Sequence, residues 1–103
     1  MARVYISGGI TNVPDYRIRF AEAKTLLLIR GYEVVNPATV CESLPTSFTH
    51  EQYMKVCMAL LECCDTIYML NGWGKSKGAQ AECEWALFHG LKILTEDKDG
   101  EVG

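Results

Sequence analysis

The segment from Ser76 to Glu82 carries residue types that could hold a nucleotide. Ser76 and Gly78 lie where a helix is predicted to begin, so a hydroxyl and free backbone amides would face a place where the helix dipole favours negative charge. Gly8 and Gly9 follow the first predicted strand and would let the backbone approach an anion closely. Each feature also has a plainer interpretation, as a serine N-cap and a glycine turn. We expect the two features to converge at one end of a sheet and to hold a phosphate.

Glu82 is the carboxylate nearest to this expected site on the predicted helix. It lies about 60° from Ala79 and about 40° from Ala86 around the helix axis, at the border of the apolar stripe. Its carboxylate would border the core near the ligand, although a glutamate early in a helix also simply favours the dipole. Trp73 lies in a glycine-flanked loop, where its ring could stack on a base or cover the edge of the sheet.

The elements that must position these residues are strands and helices that alternate along the chain. Runs rich in β-branched or apolar residues, each ended by a turn-forming residue, predict strands at 3–7, 32–36, 66–70 and 92–95. Apolar residues at helical spacing predict helices at about 15–30, 50–62 and 76–90. The intervening segment 38–49 shows no such spacing, so we expect a loose connection there.

This alternation predicts an α/β protein with a Rossmann-like or flavodoxin-like three-layer sandwich, whose parallel sheet has the strand order 2-1-3-4. Ligands of such sheets bind beyond the carboxyl ends of the strands, where the strand order reverses, here between strands one and three. The loops at that end are Ser7 to Ile10, Asn36 with Pro37, and residues 71–78. Asp65 precedes strand three at the opposite end, so we expect it to form a turn.

The composition fits one compact domain and excludes several partners. The chain has 103 residues, of which 49% are hydrophobic, and we expect a single domain over 1–95 with a flexible charged tail over 96–103. The net charge is −3 and the basic residues are scattered, which argues against polymeric nucleic acid. No apolar run approaches the length of a membrane span, so we expect no membrane association and a cytoplasmic location.

The cysteines and histidines give no pattern typical of a metal site. The five cysteines are an odd number with no Cys-x-x-Cys pair, and neither His50 nor His89 has a neighbour at ligand spacing. We therefore expect reduced thiols, no metal and no cofactor. The adjacent Cys63 and Cys64 could form a redox pair, but a buried cysteine commonly behaves as a small apolar residue.

The chain resembles the nucleoside 2-deoxyribosyltransferase-like superfamily, and within it a short, largely uncharacterised family of phage and bacterial genomes. The resemblance spans nearly the whole chain and is specific in combination. It rests on Tyr5-Ile6-Ser7-Gly8-Gly9-Ile10, Asn36-Pro37-Ala38, Cys64-Asp65-Thr66-Ile67-Tyr68-Met69-Leu70 with Gly72-Trp73, and Ser76-x-Gly78-Ala79-x-x-Glu82-x-x-x-Ala86.

The resemblance implies a nucleoside or nucleotide site in which Glu82 attacks the anomeric carbon of 2-deoxyribose. It further implies that Tyr5, Ile10 and Trp73 lie close to the sugar or base, and that homodimers or larger homo-oligomers form. By the same comparison, the phosphate or sugar end would be lined by Ser7, Gly8, Gly9, Ser76 and Gly78. Characterised members tend to carry an aspartate eight residues before the position of Asp65, where this chain has Cys57.

The leading hypothesis is cleavage of the N-glycosidic bond of a deoxynucleoside or its 5′-monophosphate through a covalent deoxyribosyl-enzyme on Glu82. Attack by water would make the protein a nucleotide hydrolase, and attack by another base would make it a deoxyribosyltransferase. The sequence does not separate these two outcomes. A nucleotide-binding module without turnover, which the cysteine at position 57 would suit, and a self-assembling protein without a ligand are the alternatives.

Overall fold

Four parallel strands form the centre of the molecule. The computed structural model describes residues 2–96. Its strands pair in the order β2-β1-β3-β4, and every neighbouring pair is parallel, which confirms the predicted α/β class and strand order. The strands are β1 (Arg3–Ser7), β2 (Glu33–Val35), β3 (Thr66–Met69) and β4 (Lys92–Thr95).

Helices cover both faces of this sheet. They are α1 (Tyr16–Ile29), α2 (Pro37–Cys41), α3 (His50–Glu62) and α4 (Lys77–Phe88), and a single 3-10 turn covers Trp73–Lys75. Because successive residues of a strand point to opposite faces, β1 contributes to two separate cores. Val4 and Ile6 pack with α1, whereas Tyr5 packs with α3 and α4. The result is the expected Rossmann-like three-layer sandwich.

The short helix α2 lies where a loose connection was predicted, so that prediction was wrong for residues 38–41. Asn36 has extended backbone geometry, and its Oδ1 accepts a hydrogen bond from the Ala38 amide at 3.0 Å. Pro37 occupies the first helical position, where a backbone N–H would have no acceptor within the helix, so proline costs no hydrogen bond there. Asn36 and Pro37 therefore not only end β2 but also begin a helix.

Side-chain caps fix where α3 and α4 begin. Thr49 and Gln52 form a reciprocal capping box at the start of α3, in which each side chain bonds to the backbone of the other residue. At α4, the Oγ of Ser76 accepts a hydrogen bond from the Ala79 amide at 3.2 Å. Both helices thus start near the carboxyl ends of β1 and β3, with their first turns facing the same region.

The chain beyond β4 remains attached to the sheet for one more residue. The Glu96 amide donates to the Met69 carbonyl at 2.8 Å, and its carboxylate accepts from the Asn71 amide at 2.8 Å. Glu96, which we assigned to the flexible tail, is thus held in place, and the rest of that predicted tail lies outside the described residues. Between residues 2 and 96, no helix combines the length and apolar character that a bilayer span requires.

Candidate functional site

A cavity of about 170 Å³ opens at the carboxyl end of β1, where the switch point of the strand order was predicted. The end of β1, the first turns of α3 and the first turns of α4 form most of its wall. The lining includes Tyr5, Gly8, Ile10, Phe48, His50, Tyr53, Met54, Cys57, Ser76, Gly78 and Glu82. Six of the residues predicted from sequence as nucleotide-binding or nucleophilic, Tyr5, Gly8, Ile10, Ser76, Gly78 and Glu82, therefore meet in one place.

Glu82 is held at this cavity by two hydroxyl groups. Oε2 accepts a hydrogen bond from the Tyr5 hydroxyl at 2.7 Å, and Oε1 accepts one from the Ser7 hydroxyl at 2.6 Å. Tyr5 and Ser7 are alternate residues of β1, so both side chains point to the face of the sheet that α4 covers. The Glu82 side chain is only 5% exposed, and its carboxylate has one fixed orientation.

The electrostatic environment of Glu82 combines two opposing effects. Burial raises its pKa above the ordinary carboxyl value, and the hydrogen bonds from Ser7 and Tyr5 lower it in part. Burial also raises the pKa of Tyr5 well above its ordinary value, and the neighbouring carboxylate adds to this effect. Tyr5 therefore stays protonated and donates, which stabilises the ionised form of Glu82.

Cys57 lines the same cavity and is 3% exposed. Burial raises the pKa of its thiol to about 12, with Tyr5 acting in the opposite direction and Glu82 in the same direction. The thiol consequently remains neutral at physiological pH. A second acidic group is thus absent from this position, and Glu82 is the only carboxylate among the described residues that line the cavity.

The glycines around the cavity differ in how much room a side chain would have. A Cβ atom on Gly8 would lie 2.8 Å from the Leu70 Cδ1, closer than real contacts allow, so packing excludes a side chain there. A Cβ atom on Gly78 would lie 3.1 Å from the Met54 sulfur, at the wall of the cavity. Gly9 lies outside this cavity and lines a neighbouring groove together with Ser76 and Gly78.

Besides Gly9, three predicted site residues do not line the cavity among residues 2–96. Ser7 is buried behind it and acts on Glu82 alone. Asn36 caps α2 with its side chain, as described above. Trp73 is partly buried against the core between the sheet and α3 and α4, so its ring is placed to pack rather than to stack on a base in the cavity.

Asp65 lies at the opposite end of the sheet from the cavity, just before β3. Its carboxylate accepts hydrogen bonds from the Arg3 amide and the Thr66 hydroxyl.

The sequence alone did not reveal the part of the wall that precedes and begins α3. These residues are Phe48, Thr49, His50, Tyr53 and Met54. The pair Thr49 and Gln52 matches the capping-box pattern and could have located the start of the helix. No local signal shows that the first turn of α3 would face the end of β1, because that placement comes from tertiary packing.

Comparison with known protein families shows to which family this chain belongs. Residues 2–95 match the family model described as "Domain of unknown function (DUF4406)", and the chain therefore belongs to that family. No curated protein matches the sequence. Over residues 2–96, no three His, Cys, Asp or Glu side chains are grouped in a way that could hold a metal ion.

Proposed function

We propose that this member of the DUF4406 family cleaves the N-glycosidic bond of a deoxynucleoside or deoxynucleotide, with Glu82 as the nucleophile. The observation that carries the proposal is the buried Glu82 carboxylate, held by the Tyr5 and Ser7 hydroxyls at a cavity beyond the carboxyl end of β1. The resemblance of the chain to the nucleoside 2-deoxyribosyltransferase-like superfamily supports the same chemistry.

In the first step, a Glu82 oxygen bonds to C1′ of the sugar while the bond from C1′ to the base nitrogen breaks. The base leaves with the bonding electrons and takes up one proton, and a deoxyribosyl ester of Glu82 remains. Each carboxylate oxygen has lone pairs beyond the one that accepts from Tyr5 or Ser7, so the hydroxyls orient the nucleophile without blocking it. In the second step, water or another base attacks C1′ and releases Glu82.

His50 is the lining residue that we assign to the proton that the departing base needs. It is an exposed residue of the cavity lining, and an imidazole N–H is a common proton donor to a leaving group. Burial raises the pKa of Tyr5 and of Cys57, and the Tyr5 proton is already engaged by Glu82. These two groups therefore hold their protons too tightly to serve as the acid.

The cavity wall suits a sugar and part of a base. Phe48 and Tyr53 present aromatic surface, and Ile10 and Met54 present aliphatic and thioether surface, around the Glu82 carboxylate. On the side of Ser76 and Gly78 the wall gives way to the start of α4, where a 5′-phosphate would meet free amides. Glu82 would then face C1′, and the phosphate would lie at the opposite end of the sugar.

The proposal is tested by measuring base release from purified deoxynucleosides and deoxynucleotides with the wild type, Glu82→Gln and Glu84→Gln. Glu84 is exposed on the same helix and provides the matched control for charge. We expect Glu82→Gln to lose about 10³-fold or more of the rate, as removal of a nucleophile does elsewhere, and Glu84→Gln to keep it. Equal rates for the wild type and Glu82→Gln would refute the catalytic role.

A covalent trap adds a direct readout. A 2-fluoro-2-deoxynucleoside slows both steps, because fluorine destabilises the oxocarbenium-like transition state, so the glycosyl-enzyme is expected to accumulate. Mass spectrometry should find the added sugar on the peptide that contains Glu82. A sugar found on another residue would assign the nucleophile elsewhere.

A nucleotide-binding module without turnover is the second candidate function, and Cys57 is the observation that favours it. A neutral, buried thiol occupies the wall beside Glu82, where a second acidic group would assist chemistry at the sugar. Calorimetric binding of a deoxynucleotide to the wild type and to Glu82→Gln, with no base released by either protein, would support this candidate over the first.

A further inference from the structure

A groove of about 880 Å³ adjoins the much smaller cavity that contains Glu82. The loop after β1, the loop after β3 and the start of α4 form its walls. Thr11, His50, Ser76 and Gly78 line both spaces, so the groove begins where the cavity ends, at the start of α4. A ligand that fills the cavity and passes Ser76 would continue into the groove.

The groove is positively charged although the chain carries a net charge of −3. Among residues 2–96, its lining includes Arg19, Lys75 and Lys77 and no aspartate or glutamate. Arg19 is partly neutralised, because it lies 3.6 Å from the Glu96 carboxylate and donates to the Asn71 carbonyl at 2.6 Å. Lys75 and Lys77 form no salt bridge with any residue between 2 and 96, so their charges remain available to a ligand.

Neutral hydrogen-bond donors line the same groove. Thr11 and Ser76 contribute hydroxyls, and Asn12 contributes an amide side chain. The backbone amides of Lys77 and Gly78 find no acceptor among the described residues, whereas the next two amides of α4 are bonded to Ser76. Two available ammonium groups and several donors in one groove favour a ligand with more than one phosphate.

We propose that this groove binds the β- and γ-phosphates of a nucleoside 5′-di- or triphosphate whose sugar occupies the cavity. The inference rests on the proposed function, since it places the sugar beside Glu82. The α-phosphate lies at Ser76 and Gly78, and the phosphates beyond it meet Lys75 and Lys77. A monophosphate would end at the junction and leave both lysines and most of the groove without a partner.

The test is a calorimetric comparison of the mono-, di- and triphosphate of one deoxynucleoside, in the Glu82→Gln background so that no base is released during the titration. We expect the Kd to fall about fivefold with each added phosphate, the upper range for an exposed ion pair. Lys75→Gln and Lys77→Gln should each remove about one such step for the triphosphate and leave the Kd of the monophosphate unchanged.

Lys55→Gln is the control, because Lys55 is an exposed lysine of α3 that lines neither space. Equal Kd values for the mono- and triphosphate, or an equal effect of Lys55→Gln and Lys75→Gln, would overturn the proposal. Base release by the wild type, measured separately, distinguishes this proposal from the proposed function. Lysine-dependent preference for the triphosphate without base release would remove the proposed function and keep the groove. If the wild type released the base from the monophosphate and the triphosphate with equal kcat/KM, and bound both with equal Kd, the proposed function would stand and the proposed phosphate-binding role of the groove would fall.

Discussion

The Tyr5 hydroxyl donates a 2.7 Å hydrogen bond to Glu82, although the two residues are 77 positions apart in the chain. This bond joins the central strand β1 to the helix α4 inside the core. It opposes the effect of burial on the Glu82 pKa, because a donor stabilises the charged form of the carboxyl group. The hydroxyl therefore extends the pH range in which Glu82 is ionised.

Tyr5→Phe should shift the acidic limb of the kcat/KM profile to higher pH. A nucleophilic Glu82 acts only above its pKa, and removal of a donor that lowers this pKa raises it further, so activity is lost at a higher pH as the solution is acidified. A hydrogen bond to a charged group contributes about 1.5 kcal/mol or more, so we expect a rate loss of roughly tenfold on the acidic limb, where Glu82 is only partly ionised, and a much smaller loss at higher pH, where it is ionised in both proteins.

The matched control for this variant is Tyr32→Phe, because the Tyr32 hydroxyl bonds to none of the described residues and lines neither the cavity nor the groove. Its pH profile should match that of the wild type. If Tyr5→Phe kept the wild-type acidic limb, the Tyr5 hydroxyl would not govern the ionisation of Glu82.

Glu82→Gln should stabilise the fold at neutral pH. A carboxyl group whose pKa is raised by folding destabilises the folded state above that pKa, and the penalty disappears as the pH falls toward the unfolded-state value. We expect a gain of order 1 kcal/mol at pH 7 that shrinks toward pH 4, measured by urea unfolding at both pH values. Glu84→Gln, on the exposed side of α4, should show no such trend, and a pH-independent gain for Glu82→Gln would contradict the explanation.

Gly8→Ala should destabilise the protein because the new methyl group would meet Leu70. The Cβ would lie 2.8 Å from Cδ1 and 2.9 Å from Cβ of that buried side chain, so β3 or the loop would have to shift. Overpacking of this kind costs about 1–3 kcal/mol, which thermal unfolding detects. At Gly74, nothing lies within 4 Å of an added Cβ, so Gly74→Ala should change stability little. Equal losses for the two variants would argue against the contact with Leu70.

Alkylation with iodoacetamide at pH 8 should modify Cys63 well before Cys57. The reacting species is the thiolate, and burial raises the pKa of Cys57 to about 12 and that of Cys64 to about 11. Cys63 is exposed, whereas the other two thiols are buried. Peptide mapping by mass spectrometry would follow the order, and in denaturant all three cysteines should react. Early modification of Cys57 in the folded protein would show that the cavity opens more than this structure indicates.

His50→Gln should lower the rate of base release much more than it weakens nucleotide binding. Proton transfer from a positioned side chain contributes about 10²–10⁴-fold, so a fall of about 10²-fold in kcat is expected if the imidazole protonates the departing base. Substrates whose base leaves readily without a proton should be affected least. His89→Gln is the control, since His89 stacks on Trp85 at the end of α4, away from the cavity. An equal loss for all leaving bases would remove this role from His50.

The sheet was predictable because its strands are short apolar runs between clear turn residues. The run at residues 66–69 is buried throughout, as expected for a central parallel strand. Helix α2 was missed because Pro37 was interpreted only as the end of a strand. An asparagine followed by proline also fits the cap and first position of a helix, and this signal was available in the sequence.

The candidate site was predictable only in part. Helical geometry placed Glu82 at the border of the core, and the hydroxyls that hold it come from β1, whose facing residues depend on the sheet. Phe48 and Met54 gave no signal, because only the packing of α3 against the end of the sheet brings them to the cavity. Trp73 had two plausible roles in sequence, and its partly buried position in the core could be seen only once the three layers were in place.

The alternation of β1 connects the chemistry to strand alignment. Tyr5 and Ser7 point toward α4, whereas Val4 and Ile6 point toward α1. If β1 paired one residue out of step with β3, two aliphatic side chains would face Glu82 and both hydroxyls would be lost to it together. A molecule with misaligned strands would therefore have no activity rather than reduced activity. The specific activity of a preparation would then be proportional to the fraction of molecules whose sheet had formed in the correct register.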